Sequence, residues 1–514
     1  MNGGTQHHYS LDSSTGKWTM FSTILATSMA FIDGSALNVI LPSLQQDLSA
    51  NGVDLFWVLN SYLLMLAALI IVGGSLGDKL GRVKVFKFGI IVFTIGSALC
   101  GLSQDITQLI VFRTIQGIGG AFMIPGSLSI ISAVFTNEEK GKAIGTWSAI
   151  TTIVTICGPV LGGALADAGL WRLIFFINLP FGLLSIVALH FKVPESKQPE
   201  VSKVDWKGAS TLVLSLAALT FGFLEVPEWG YQHPIVILSL VIGTFFLVFF
   251  VMIERKTQDP MVPLTMFRNK TFSGVNLLSF FLYAGMGAMM LFLSLNIIQI
   301  QGYSQFQAGL TFLPFSFIMV FAARKMGALA SKYGARRFLI MGPSITGAGM
   351  VWFSFIGMTD GPSAYWSTYF PPFLLFALGI AITVVPLTTA VMACVDDSKS
   401  GIASGINNSV TRISGTFMNA ILGAVAILVF GNYVLESMET FTVSDSIKNQ
   451  VMLEASKLGE ATASLEYDPK LQSTINTIFD HSFISVYKMV CWISAALALL
   501  SAAIAFFMVE EKKV

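Results

Sequence analysis

Charged residues are scarce in this sequence. Only 11% of its 514 residues are Asp, Glu, Lys or Arg, whereas soluble domains carry about 25%. Hydrophobic residues make up 54% of the chain, and the mean hydropathy is +0.72. This composition excludes an ordinary soluble domain and indicates an all-α integral membrane protein. The net charge of +1 provides no basic surface, so we expect no nucleic-acid partner.

Cysteine and histidine are also few. No nucleophile with a base, and no metal-ligand cluster, is visible at membrane depth in the sequence, so we expect neither an enzyme nor a metal or cofactor site. The four cysteines all lie in apolar stretches and are expected to be small core residues: Cys100, Cys157, Cys394 and Cys491.

Long hydrophobic runs are what the chain has in abundance. About 20 apolar residues in a helix cross the ~30 Å hydrocarbon core of a bilayer. By this measure the sequence predicts fourteen spans, at 18–41, 55–77, 85–103, 106–134, 142–167, 173–191, 207–226, 234–253, 272–299, 307–330, 337–357, 367–393, 401–432 and 482–509.

The distribution of Lys and Arg predicts the orientation of these spans. With the N-terminus inside, most of the 30 Lys and Arg residues fall on the cytoplasmic side, and the short outer loops hold only Arg172. We therefore expect a multi-pass protein of the cell (inner) membrane with both termini in the cytoplasm.

A weak internal repeat predicts two related halves. GSLGDKLGRVK (74–84) after span 2 is similar to GALASKYGARR (327–337) after span 10. Repeated halves around a central site are common in secondary transporters. The expected division is a cytoplasmic tail at 1–17, a six-helix half at 18–191, a linker with two inserted spans at 192–271, a second six-helix half at 272–509, and a tail at 510–514. The second half includes a polar outer loop at 433–481, in which 444–458 forms a surface helix or remains a solvated loop.

Two charges lie deep inside predicted spans of the first half. Asp33 is ~12 Å below the outer end of span 1, and Arg113 is ~10 Å deep in span 4, at 1.5 Å per residue. Intramembrane ionisable groups are expensive and are commonly functional. The two groups could share a cavity in which Asp33 releases a proton when a cation binds. A fixed ion pair, or Asp33 as the cap of a broken helix, is the plainer alternative.

Two turn and bend motifs accompany these charges. Gly77, Asp78, Gly81 and Arg82 between spans 2 and 3 could form a conformational latch, or they could only anchor a cytoplasmic loop. In span 5, a bend and a smooth face that permit close helix packing are provided by Gly158, Pro159, Gly162 and Gly163.

These segments resemble the major facilitator superfamily. GGSLGDKLGRVK (73–84) is similar to the signature loop of that superfamily between helices 2 and 3. LIVFRTIQGIGGA (109–121) resembles its helix 4 motif, and CGPVLGG (157–163) its helix 5 antiporter motif, although Val154 stands where a glycine is usual. FIDGSALNVILP (31–42) and WRLIFFINLPFG (171–182) resemble the fourteen-spanner drug:proton antiporter branch.

The resemblance implies a major facilitator fold with fourteen transmembrane helices and alternating access. It implies that Asp33 carries the proton and that Arg113 adjusts the proton affinity of Asp33. It also implies that residues 158–163 serve export and sealing against leak. The expected function is proton-coupled export of hydrophobic or amphipathic compounds, in the manner of multidrug efflux. Export or flipping of a lipid or other amphiphile is the alternative. The expected partners are the substrate, protons and the bilayer, and we expect a monomer.

Polar residues within the spans are candidates for substrate contacts. The mid-membrane Arg412 could meet an anionic substrate, a carbonyl cluster or a polar cavity. Span 10 contains no acidic residue, which disfavours dications and leaves neutral, monocationic or lipid-like substrates. The other candidates are Asn38, Trp57, Asn60, Tyr62, Gln116, Asn276, Tyr283, Asn296 and Gln299.

Overall fold

The structure is a computed structural model that describes residues 9–196, 205–258, 260–395, 400–439, 444–464 and 467–510. The predicted tail at 1–17 lies partly outside these ranges, and the tail at 510–514 lies outside them except for Glu510. The first helices are α1 (Ser14–Asp47), α2 (Gly52–Leu80), α3 (Arg82–Leu102), α4 (Ile106–Val134), α5 (Asn137–Asp167), α6 (Leu173–Phe176), α7 (Asn178–Lys192), α8 (Trp206–Leu224), α9 (Val226–Trp229) and α10 (Pro234–Lys256).

The remaining described chain is helical as well. It forms α11 (Lys270–Leu295), a π-helical turn (Asn296–Ile300), α12 (Gln305–Thr311), α13 (Leu313–Tyr333), α14 (Ala335–Ser354), α15 (Phe370–Ala393), α16 (Ser400–Glu439), α17 (Asp445–Ala455) and α18 (Pro469–Met508). Short 3₁₀ turns occupy Leu264–Arg268, Gly361–Ala364 and Leu458–Glu460.

Fourteen of these segments correspond to the predicted spans. Thirteen in the described ranges are long and apolar enough to cross a membrane, when α6 with α7 and α12 with α13 are each taken as one. The fourteenth is α14, whose apolar character is diluted by Arg336 and Arg337 at its start. The prediction of an all-α protein with fourteen transmembrane helices is confirmed.

The region predicted as a polar outer loop contains more helix than expected. α16 continues to Glu439, and α18 already begins at Pro469, where the Asp468 side chain caps the first turn. Between them, α17 occupies most of the segment that was predicted as a surface helix or a solvated loop. Spans are predicted from hydrophobic length, which detects only the part of a helix inside the bilayer. The polar extensions of α16 and α18 therefore cannot be predicted in this way.

Glycines determine how closely the first helices pack. α4 lies against both α2 and α3. A Cβ at Gly119 would collide with the backbone of Phe93 in α3, and one at Gly117 would collide with the backbone of Tyr62 in α2. The glycines of α4 therefore bring three backbones into contact, and α4 continues without interruption through Pro125.

The turn between α2 and α3 is held by charges. Gly81 has φ +119°, a conformation that favours glycine. Arg82 Nε donates to Asp78 Oδ1 at 2.7 Å. The carboxylate of Glu195, which follows α7, accepts the backbone N–H groups of Val83 and Lys84, each at 2.9 Å. The turn is thereby fixed to the end of α7 by a carboxylate at the N-terminus of α3.

We expect Gly81→Ala to destabilise the protein by about 1–3 kcal/mol, because alanine is strained at this φ and its Cβ would lie 2.8 Å from the Glu195 carboxylate carbon. Thermal unfolding of the purified protein in detergent, followed with a thiol-reactive dye, measures the effect. Gly141→Ala in α5 is the control, since its Cβ would meet nothing within 4 Å. Equal melting temperatures for the two variants would contradict the expectation.

Candidate functional site: a buried ion pair beneath a closed end

A buried triad of polar side chains, two of them charged, lies between α1 and α4. Arg113 Nη1 donates to Asp33 Oδ2 at 2.5 Å and to Gln116 Oε1 at 2.7 Å. Gln116 Nε2 donates to the second carboxylate oxygen, Asp33 Oδ1, at 2.9 Å. The side chains of Asp33 and Arg113 are each 1% exposed. The structure thus brings together three predicted residues, and the ion pair anticipated as one alternative is formed.

Aromatic rings and a carbonyl complete the surroundings of Arg113. Its guanidinium carbon lies 4.3 Å from the centre of the Tyr62 ring and 5.9 Å from that of Phe175. Arg113 Nε also donates to the Val58 carbonyl at 3.4 Å. A cation over an aromatic face is stabilised most where water is excluded. The site therefore holds a charge pair that is neutral overall, with cation–π contacts in place of hydration.

One end of the helix bundle, above this triad, is closed by contacts of α5. Gly158 and Gly162 face Ser35 and Ala36 of α1 so closely that a Cβ would collide. Gly163 touches the backbone of Gln305 at the start of α12, where a Cβ would likewise collide. These small residues let α5 join α1 to α12, a helix of the second half of the chain.

Polar groups reinforce the same closure. The Asp167 carboxylate, at the end of α5, accepts the backbone N–H groups of Gln305 at 2.8 Å and of Phe306 at 3.0 Å. Ser43 Oγ of α1 donates to Gln305 Oε1 at 2.7 Å. Ser294 Oγ of α11 donates to the Asn38 carbonyl at 2.9 Å. Four helices of the second half of the chain, α11, α12, α13 and α16, are in contact with the first half.

The segment that follows α17 spans the closed end. Gly52 N–H donates to the Ser456 carbonyl at 2.9 Å. Glu460 accepts from Gln46 Nε2 at 2.9 Å and from Gln299 Nε2 at 3.1 Å. Gln46 belongs to α1 and Gln299 to the π-helical turn after α11, so this segment connects helices from both halves of the chain.

A second polar group lies where α2, α11 and α16 meet. The rings of Phe56 and Phe292 are 5.9 Å apart, and Phe56 packs on Gly423 of α16. Because α2 and α16 run antiparallel, Asn60 and Asn419 lie one helical turn from this contact, at the same level. They are 0% and 7% exposed. Both amide atoms of Asn60 and Oδ1 of Asn419 have no hydrogen-bond partner among the described residues.

Glycines leave space beside these amides. A Cβ at Gly287 of α11 would lie 3.5 Å from Asn419 Oδ1, and one at Gly415 would meet nothing within 4 Å. Tyr283 is one turn before Gly287. Arg412 is half-buried two turns before Asn419 and forms no ion pair with a described residue. We call Asn60, Tyr283, Gly287, Arg412, Gly415 and Asn419 the three-helix junction.

The family described as the Major Facilitator Superfamily matches residues 23–419 of the chain. The chain belongs to this superfamily. Major facilitator proteins are transporters rather than enzymes, so this multi-pass membrane protein is a transporter.

Curated relatives within the superfamily carry names that refer to drug resistance. The chain is 31% identical to "Multidrug resistance protein Stp" of Mycobacterium tuberculosis, over 85% of this chain and 80% of the relative. It is 32% identical to "Multidrug resistance protein 3" of Bacillus subtilis, over 81% and 80%. Identity to the "Tetracenomycin C resistance and export protein" of Streptomyces glaucescens is 27%, over 95% and 91%.

Solved major facilitator structures share the fold. A bacterial homologue of the human lysosomal transporter Spinster, in an inward-facing and occupied conformation, is similar with a TM-score of 0.60, at 18% identity over 96% of this chain and 98% of the other. A D-xylose–proton symporter is similar with a TM-score of 0.59, at 14% identity over 98% and 99%. The predicted resemblance to the superfamily is confirmed.

Several candidate substrate residues of this transporter form hydrogen bonds within the protein. Trp57 Nε1 donates to Glu225 Oε1 at 3.0 Å and points away from the triad, toward α8 and α9. Asn276 Oδ1 accepts from Asn407 Nδ2 at 3.1 Å and ties α11 to α16. Asn296 Oδ1 accepts from Gln301 Nε2 at 3.2 Å within the turn after α11.

The structure gives a role to four residues that the sequence patterns did not predict as part of a site. Asp167 and Glu460 act at the closed end, Asn419 lies in the three-helix junction, and Glu225 meets Trp57. Burial raises the pKa of Glu225, while the bond from Trp57 lowers it in part. Asp167 had a detectable signal, since it lies one turn after Gly163 in a segment predicted to pack closely. The other three are brought to their partners only by tertiary contacts.

We expect Gly163→Val to hold the closed end open, because its Cβ would collide with the backbone of Gln305. Spin labels at the exposed Leu170 and Leu310 report the separation of α5 and α12 by double electron–electron resonance. The variant should shift the distance distribution to longer values than in the wild-type protein. Gly145→Val on the same helix is the matched control, since its Cβ would meet nothing within 4 Å. An unchanged distribution in Gly163→Val would contradict this role of Gly163.

Proposed function

We propose that this transporter exports hydrophobic or amphipathic compounds across the cell (inner) membrane in exchange for protons, as a multidrug efflux protein. The observation that carries the proposal is the buried triad of Asp33, Arg113 and Gln116 beneath a closed end. Export of drugs is supported by the names of relatives that match most of the chain. The driving force is the proton gradient, no cofactor takes part, and the working unit is a monomer.

The coupling step follows from the charge balance of the triad. A proton that reaches Asp33 neutralises the carboxylate, and Arg113 then keeps neutral hydrogen-bond acceptors, among them Gln116 and the Val58 carbonyl, but has lost its counter-ion. A buried arginine without its counter-ion is strongly unfavourable. The cost is relieved when the surrounding helices rearrange, and this links proton binding to the change of access.

The direction of access follows from the closed end. The positive-inside distribution of Lys and Arg supports cytoplasmic termini, which puts the closed end outside. The conformation described here then opens to the cytoplasm, where an exporter collects its substrate. The turn between α2 and α3 acts as a latch at the cytoplasmic end. It is bound to Glu195, and its charged side chains change partners when the halves move. The residues of this latch are Gly77, Asp78, Gly81 and Arg82. Asn38 and Gln299 belong to the contacts of the closed end rather than to the substrate site.

Export of a lipid or another amphiphile is the second candidate. It is favoured by a cavity of about 550 Å³ between α1, α5 and α7, whose apolar lining includes Phe21, Ile150 and Val154. Phe21 and Ile150 are exposed on the outside of the bundle. An acyl chain could enter directly from the bilayer through this opening.

The test is proton movement in proteoliposomes under an imposed pH gradient, in the presence of lipophilic cations, neutral drugs, anionic dyes or lysolipids. We expect at least one class of drug to drive proton flux in the wild-type protein. Asp33→Asn should abolish the flux, whereas Asp33→Glu keeps a carboxylate and should retain part of it. Gel filtration and melting temperature establish that each variant is folded.

Two outcomes would contradict the proposal. Full substrate-driven proton flux in Asp33→Asn would remove Asp33 from coupling. Redistribution of labelled lipid without any drug-driven proton flux would replace drug export by lipid export. Asp12→Asn, in the exposed N-terminal segment, is the control for loss of a carboxylate far from the triad.

A further inference from the structure

The three-helix junction contains polar atoms that nothing in the described chain satisfies. Buried side-chain amides are almost always hydrogen-bonded, and an unsatisfied one destabilises the fold. Asn60 is fully buried with both amide atoms unpartnered, and Asn419 Oδ1 is unpartnered one turn from the Phe56–Phe292 contact. A bound molecule that carries both a donor and an acceptor would satisfy them.

Two glycines without side chains lie beside these atoms, one on α11 and one on α16. A Cβ at Gly287 would lie 3.8 Å from Gly415 Cα, and one at Gly415 would meet nothing within 4 Å. The α11 residues on the same side, Tyr283, Met286 and Met290, are half-buried and present an aromatic ring and two flexible thioethers. Methionine side chains adapt to apolar surfaces of different shapes.

Arg412 gives this junction an uncompensated positive charge. Among the residues that the structure describes, Arg412 forms no ion pair, and the buried acid Asp33 is already bound to Arg113. Among the helices that contact α16, the sequences of α8, α11 and α15 contain no acidic residue. The ring of Tyr62 lies over Arg113, and its phenol supplies no negative charge to balance Arg412.

In two other helices that pack against α16, namely α2 and α18, the acidic residues are held elsewhere. In α2, Asp54 caps the start of the helix with Asn51, and Asp78 pairs with Arg82 at its end. In α18, Asp480 follows Phe479, whose ring stacks on Phe430 of α16. Phe430 is about 27 Å along α16 from Arg412, at ~1.5 Å per residue.

We propose that the three-helix junction binds the exported compound and selects neutral or anionic amphiphiles with a carbonyl, phenolate or carboxylate oxygen over permanent cations. Arg412 donates to that oxygen, while the unpartnered amide atoms of Asn60 and Asn419, about two helical turns farther along α16, bind a hydroxyl group elsewhere on the same molecule. This inference rests on the proposed export function and adds the charge class of the substrate to it.

The test compares two dyes with the same tricyclic xanthene scaffold and opposite charge, the anion fluorescein and the cation rhodamine 123. Binding to the purified protein is followed by fluorescence anisotropy, without a pH gradient. We expect wild-type protein to bind fluorescein tighter by roughly tenfold or more, the effect of one uncompensated charge at short range. Arg412→Gln should remove this preference, and Arg412→Glu should reverse it. Asn60→Leu should weaken fluorescein binding.

Lys488→Gln is the matched control. It also removes one cation from a spanning helix, but Lys488 is one turn before Trp492, which is 51% exposed on the outer face of the bundle. If Arg412→Gln fails the folding checks, Asn419→Asp places a carboxylate two turns from Arg412 and should also abolish the preference.

Equal affinity of the wild-type protein for both dyes, no binding of fluorescein, or a preference that survives loss of the Arg412 charge would each overturn the proposal. Because binding is measured without a gradient, its outcome is separate from proton coupling. A charge preference without substrate-driven proton flux supports the junction and rejects antiport. Proton flux without a charge preference rejects the junction and leaves antiport standing.

Discussion

The burial of two opposite charges in the bilayer is the constraint on which this structure depends. A fully buried arginine or aspartate without a counter-ion is strongly unfavourable, so Asp33 and Arg113, each 1% exposed, stabilise one another there. Their contact requires α1 and α4 to approach at one depth, and the glycines of α4 allow α2 and α3 to close around the pair. A hydrogen bond from Gln116 to Asp33, and the contact of Arg113 with the face of the Tyr62 ring, then replace the lost water.

The closed end depends on a different kind of contact. Small residues let backbones touch there, and helix ends are held by hydrogen bonds such as those that Asp167 accepts from Gln305 and Phe306. Apolar side chains of both halves also pack together, as Phe56 does against Phe292. The hydrogen bonds can be exchanged for bonds to water when this end opens. The segment after α17 adds Glu460 and Ser456 to this set, so an extramembrane part of the second half also takes part in closure.

The sequence predicted the fourteen spans and the proximity of Asp33 and Arg113, because hydrophobic length and helical rise are local properties. The polar extensions of α16 and α18 were missed, since a helix in water has no hydrophobic signature. The sequence predicts Trp57 as a substrate contact, and in the structure its indole N–H donates to Glu225, which follows α8. The sequence also predicts Asn60 but not Asn419. The two lie at the same level only because α2 packs antiparallel to α16. Pairings between distant helices are properties of the tertiary structure.

The contact of Gly163 with the backbone of Gln305 has an evolutionary consequence. Main-chain atoms are the same whatever side chain a residue carries. Closure of this end through the backbone therefore places little constraint on the side chains at neighbouring positions. Residues that line the interior can therefore diverge without loosening the barrier against leak. A scaffold of this kind can acquire new cargo through ordinary point mutations, while the few glycines that touch another backbone stay essential.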